Sequence, residues 1–197
     1  MKTILITGFE PFDHDQANPS WQAVCALPDE IKSIQIIKKE IPVVFDQAPK
    51  QVKDLMDQYD PDLVLCTGYN AKARELDLEY VALNLKHARI PDNEGNQPQE
   101  QPIALHAALA LESRLPVFEL EKMLHRKKID AKVSFSAGTY VCNDVMYEVI
   151  RACKERKIPG GFIHIPPFSE DPKQGMPFEK VAAGLVSVIE FLASRHQ

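Results

Sequence analysis

Cys142 stands where a cysteine can act as a nucleophile. It follows Ser136-Ala137-Gly138-Thr139-Tyr140-Val141, a run of small and turn-forming residues between an expected strand and an expected helix. Its sulfur then lies near the first turn of that helix, where the positive end of the peptide dipoles lowers a thiol pKa. Position matters because the thiolate is the attacking species, and a free thiol is only a few per cent thiolate at neutral pH. The other reading is a core cysteine facing a sheet, and the residues alone leave both open. Cys25 and Cys66, on apolar faces, and Cys153, late in a helix, read as core thiols.

A cysteine nucleophile needs a base, and the chain has six histidines. His196 is terminal, His125 belongs to a basic helix end, and His14 lies in a polar loop. His87 and His106 border a long polar loop, as surface residues or as ligand contacts. His164 differs, because it interrupts Gly161-Phe162-Ile163-His164-Ile165 near the C-terminal end of an expected strand, with Pro166-Pro167 behind it. Ligands of open α/β sheets bind beyond the carboxyl ends of the strands. A lone strand histidine can equally be a satisfied core group. An acid must then orient the imidazole. Glu79, in the alternating stretch Leu76 to Asn84, is a candidate, and Asp77 shares its face.

Elements that could position these groups alternate along the whole chain. Strands are expected over Thr3 to Thr7, Ile34 to Ile41, Leu63 to Gly68, Leu76 to Leu85, Ala131 to Phe135 and Gly161 to Ile165. Helices are expected from Asn18-Pro19-Ser20 onward, capped by Asn18 or Ser20, then over Asp46 to Tyr59, Ser113 to His125, Tyr140 to Lys157 and Phe178 to Ser194. Arg126-Lys127-Lys128 suits the negative end of the third helix and reads as solvated. Arg89 to Pro102 is a polar loop, and a loop that long in a compact domain is often functional. This alternation predicts one α/β domain over residues 1–197, an open sheet with helices on both faces.

Composition narrows the chemistry. With 23 basic and 28 acidic residues the formal charge is −5, which gives no electrostatic hold on nucleic acid or an anionic membrane. No apolar run approaches the roughly 20 residues of a membrane span. The run Lys2 to Gly8 is followed by acids and reads as a strand rather than a signal peptide, and four scattered cysteines do not make a secreted scaffold. A cytoplasmic protein is expected. Dinucleotide and triphosphate glycine motifs, C-x-x-C, H-E-x-x-H and the G-x-S-x-G elbow are all missing from the sequence. What remains is side-chain chemistry, with no cofactor and no metal expected.

Four segments, in order, resemble the pyroglutamyl peptidase I (pyrrolidone-carboxylate peptidase) family of cysteine peptidases. They are Thr7-Gly8-Phe9-Glu10-Pro11-Phe12 with Asn18-Pro19-Ser20, then Glu79 to Asn84 with Ala88 to Asn93, then Ser136 to Asn143, and finally Gly161 to Pro166. The resemblance implies a Glu79–Cys142–His164 triad that removes N-terminal pyroglutamate (5-oxoproline) from peptides. It also implies a single-domain mixed-sheet α/β/α sandwich, commonly assembled as a homotetramer. Phe9 and Phe12 are carried over as aromatic walls for the lactam ring, Tyr140 and Val141 as further substrate contacts, and Arg89 as a helper for the developing oxyanion. The chain departs from the family in two loops. Gly68-Tyr69-Asn70-Ala71-Lys72-Ala73-Arg74 replaces a glycine-rich turn and puts Ala73 in place of an arginine. Pro11-Phe12-Asp13-His14 stands where glycines usually follow the phenylalanine. Both border the expected ring pocket, so weaker substrate affinity with intact selectivity is expected. Two other classes stay open: a family member that has lost turnover and acts as a small-molecule or peptide binding protein, and a phosphorylase or hydrolase of nucleoside-like molecules.

Overall fold

Nine strands and five helices are formed within residues 2–12 and 15–195, the part of the chain that the computed structural model describes. Asp13, His14 and His196, weighed above, lie outside the described residues. Strands β1 (Lys2–Phe9), β3 (Ile34–Ile41), β4 (Leu63–Tyr69) and β9 (Gly160–Ile165) are parallel neighbours. The short β2 (Glu30–Ile31) runs antiparallel on β3. On the other side, β5 (Leu76–Glu79) runs antiparallel to β9 and parallel to the edge strand β8 (Ala131–Ser134). The order is β2-β3-β1-β4-β9-β5-β8, and β6 (Val81–Leu83) pairs with β7 (Ala110–Glu112) in a separate two-stranded sheet.

The central strands are apolar on both faces because helices cover both. On one face α1 (Pro19–Cys25), α3 (Val117–Arg126) and α5 (Phe178–Ser194) bury Val24, Leu120, Leu124, Leu185 and Val188 against Ile4, Ile6, Leu65, Leu78 and Ile163. On the other, α2 (Gln47–Tyr59) and α4 (Val141–Arg156) bury Val52, Met56, Val145 and Val149 against Leu5, Val64, Cys66 and Phe162. This is the expected mixed-sheet α/β/α sandwich.

Three local expectations are corrected. The stretch 76–85 is not one strand: after Glu79 the chain leaves the main sheet at Tyr80 and pairs with Ala110–Glu112. That partner lies too far along the chain for local alternation to reveal it. The third helix begins at Val117 rather than Ser113, with Pro116 as its N-cap. Proline disfavours helical backbone in the residue before it, so Leu115 cannot extend the helix backward. Cys25 ends α1 and is exposed, not a core thiol. The first helix is capped by Asn18, which accepts from the Ser20 N–H at 3.0 Å, while the Ser20 hydroxyl accepts from the Phe9 N–H.

Candidate active site

Strand register brings the acid and the base together. His164 lies near the C-terminal end of β9, flanked by Gly68 on β4 and Asp77 on β5. Because β5 is antiparallel there, its last residue Glu79 is carried past the Asp77–His164 pair toward the level of Phe162. Glu79 and Asp77 share a face, as alternation requires, yet only Glu79 reaches the imidazole. Its Oε1 lies 2.7 Å from His164 Nδ1, with Glu79 1 % and His164 6 % exposed. Asp77 turns instead to Asn70, whose amide donates to it at 3.0 Å. The acid that the sequence left open is thereby separated from its neighbour.

The other partner of the imidazole is Cys142. Burial by itself favours neutral imidazole, but hydrogen bonding to Cys142 and Glu79, and attraction from both, push His164 up to about 10. The charged form of the imidazole is thereby favoured, with the Glu79 carboxylate on one side and Cys142 on the other.

Cys142 is the second residue of α4 and is half-buried. The turn before it depends on Gly138, whose φ of 78° lies in the left-handed region that favours glycine. Gly68 also has no substitute of larger size: a Cβ there would come within 2.8 Å of Cys142 Sγ and of Phe162. The next helix residue, Asn143, is fully buried and bonds Leu83 N, Leu83 O and Leu85 O, which pins β6 and the chain after it onto the helix. The sequence reading gave Asn143 no role, although an amide directly after the nucleophile is a usable signal. The residue after it, Asp144, is buried, and that burial pushes its carboxyl up to about 6.

Thiol labelling should follow this arrangement. Cys66 and Cys153 are buried, and burial pushes both up to about 12. Cys25 is exposed but also raised, chiefly by partial desolvation. At mildly acidic pH, iodoacetamide should modify Cys142 first, because it has a helix N-terminus and the His164 imidazole beside it to hold its thiolate. Peptide mapping that finds Cys25 labelled at least as fast would contradict this.

Aromatic rings gather at the start of α4, though not all as expected. Tyr140, the N-cap of α4, packs against Phe12 at 5.6 Å and against Phe45 at 5.2 Å between ring centroids. Its hydroxyl donates to Pro91 O in the long polar loop. Phe45 was not foreseen, since its place beside Tyr140 is a contact across 95 residues of chain. Phe9 is buried, 6.5 Å from Phe162, whose ring in turn lies 4.9 Å from His164. Phe9 thus reaches the imidazole through Phe162. Val141 is buried in the core beneath the helix start, and Arg89 is exposed.

Side chains hold the long loop over this end of the sheet. Asp92 accepts from the Phe45, Glu94 and Asn96 N–H groups, and these bonds outweigh burial and keep its carboxyl below the usual value. Glu10 accepts from Val43 N and from the Asn93 amide, while Thr139 and His87 exchange bonds at the helix approach. His87 and His106 do not join the cluster around Cys142. Among the described residues no group of three or more His, Cys, Asp or Glu side chains could hold a metal ion. A cavity of about 580 Å³ lined by Arg114, Lys154 and Lys157 lies by Pro159, at the opposite end of β9 from His164.

Known proteins resemble this chain in both sequence and fold. The family profile described as pyroglutamyl peptidase matches residues 2–194. A pyrrolidone-carboxylate peptidase of Brachyspira hyodysenteriae is 43 % identical over 168 residues, covering 84 % of each chain. One from Thermococcus onnurineus is 39 % identical over 193 residues, covering 95 % of this chain and 96 % of its own. Among solved structures, pyroglutamyl peptidase I of Bacillus amyloliquefaciens superposes with a TM-score of 0.92 at 32 % identity, covering 98 % of both chains.

Proposed function

The chain belongs to the pyroglutamyl peptidase family, and from that premise we propose that it hydrolyses the amide bond after an N-terminal pyroglutamyl residue, with Cys142 as nucleophile, His164 as proton carrier and Glu79 as the orienting acid. The observation that carries this reading is a buried imidazole bonded to the Glu79 carboxylate on one side and to Cys142 on the other. His164 takes the proton from Cys142, while Glu79 holds Nδ1 and balances the charge that the imidazole gains. The thiolate attacks the pyroglutamyl carbonyl, the C–N bond breaks, and the imidazolium proton leaves with the amine. Water, deprotonated by the now neutral imidazole, then cleaves the thioester and releases pyroglutamate. First-turn N–H groups of a helix have no intrahelical acceptor, so those of Val141 and Cys142 can receive the oxyanion, at roughly 3 kcal/mol per donor.

Phe12, Tyr140 and Phe45, with Phe9 behind Phe162, would form the apolar side of the ring pocket. Arg89, exposed as it is, would have to swing inward to assist the oxyanion. Selectivity follows from the pocket: an N-terminal glutamine brings an ammonium that aromatic walls cannot solvate. Four free cysteines support a reducing cytoplasmic setting. Leu105 and Leu109, 77 % and 80 % exposed, support a homo-oligomer, for which a tetramer is proposed. No described helix is long and apolar enough to cross a membrane.

The test is release of a fluorescent amine from a pyroglutamyl amide, with the glutaminyl amide as control. Turnover of the first alone is expected. A protein whose Cys142 is rapidly alkylated but which, unmodified, never turns over the amide would favour a binding role, and comparable cleavage of both amides would discard the ring pocket.

A further inference from the structure

Asp77 is a buried carboxylate that the proposed mechanism leaves unused. It is 4 % exposed, on the same face as Glu79 and directly across from His164. Such a charge is expensive to bury unless it is bonded. Its Oδ2 accepts from the Asn70 amide at 3.0 Å. Its Oδ1 has no hydrogen-bond partner and lies 3.4 Å from Lys132 Nζ on β8.

Asn70 is the hub of the turn that follows β4. Its Oδ1 accepts from Lys72 N, its carbonyl from Ala73 N, and its own N–H donates to Ile165 O. No residue from 69 to 74 has a positive φ. The turn therefore takes its shape from the hydrogen bonds of Asn70 rather than from glycine backbone, and the Asn70 side chain ties that residue to Asp77. It also begins two residues after Gly68, the residue against Cys142 Sγ.

We propose that Asp77 is a positioning residue: through Asn70 it fastens the 69–74 turn beside Cys142 and His164, and so sets how tightly the substrate is held. The affinity part rests on the peptidase reading above; the fastening does not. Asn70→Ala removes the donor and Asp77→Ala the acceptor, whereas Asp77→Asn keeps an oxygen for Asn70 and loses only the charge.

Steady-state kinetics on the pyroglutamyl amide, over a pH series, would be combined with amide hydrogen exchange across residues 69–74 in the purified full chain. Asn70→Ala and Asp77→Ala should each raise KM about five- to tenfold, leave kcat within about twofold, and speed exchange at Lys72 and Ala73 at least about tenfold. Asp77→Asn should be the mildest, with the alkaline limb of the pH profile unmoved. Three results would overturn the proposal: unchanged exchange in both alanine variants, a lower Tm with unchanged KM, or a kcat loss with a displaced alkaline limb in Asp77→Asn. The last would make Asp77 an acid acting on His164. If the wild type turns over no pyroglutamyl amide, the peptidase reading fails and takes the KM claim with it, while exchange still decides the fastening.

Discussion

Cys142→Ser should lower kcat/KM for a pyroglutamyl amide by at least about 10³-fold while leaving Tm close to wild type. A hydroxyl is far harder to deprotonate than a thiol, so His164 could take its proton only at a much greater cost. The change removes no core packing, since Cys142 is only half-buried and serine keeps nearly its volume. His164→Ala should cost a similar factor, and the double variant little more, because residues acting as one unit do not lose activity additively. Near-wild-type turnover in purified Cys142→Ser would remove the nucleophile assignment.

Glu79→Gln is the second large effect, and its sign in pH is the more telling part. Delivery of a proton to the leaving amine needs the imidazolium, which the pair of Cys142 and Glu79 preserves up to about pH 10. In the wild type kcat/KM should therefore hold through neutral pH and fall only as pH rises toward that value. Glutamine can still accept from Nδ1–H but carries no charge, so the imidazolium loses one of its two negative partners. Activity should drop about 10²- to 10⁴-fold, and the alkaline limb should move to lower pH. A profile whose alkaline limb stays in place would mean that Glu79 does not stabilise the imidazolium.

Much of the architecture was legible because it is written in residue periods. The helix expected from Phe178 to Ser194 forms over those residues, and the strand ending in Gly161-Phe162-Ile163-His164-Ile165 gains only Gly160. Other boundaries went wrong where a longer-range cause intervened. The alternation from Leu76 to Leu85 is continuous, yet Tyr80 divides it because the second half has a different pairing partner. Pro116 is the opposite case, a local signal that was present and outweighed by the apolar pattern around it. Cys25 read as core because its neighbours in α1 are apolar, but the last helix residue faces outward.

The sequence by itself determined which residue types could do chemistry and roughly where each would sit: a cysteine at a helix start, a histidine at a strand end, two acids on one strand face. A helix start or a strand end is set by neighbours within a few residues, so these features survive without knowledge of the fold. Only the tertiary structure decided which acid meets the imidazole. Glu79 and Asp77 are equivalent by alternation, and what separates them is that β5 enters the sheet antiparallel to β9 in one register. That choice is made by the packing of two strands 85 residues apart at Glu79 and His164, beyond the reach of any local pattern. The same holds for Gly68 against the sulfur, Phe45 against Tyr140 and Asp77 against Asn70: each is a contact between elements, and its partner exists only once the sheet order is settled.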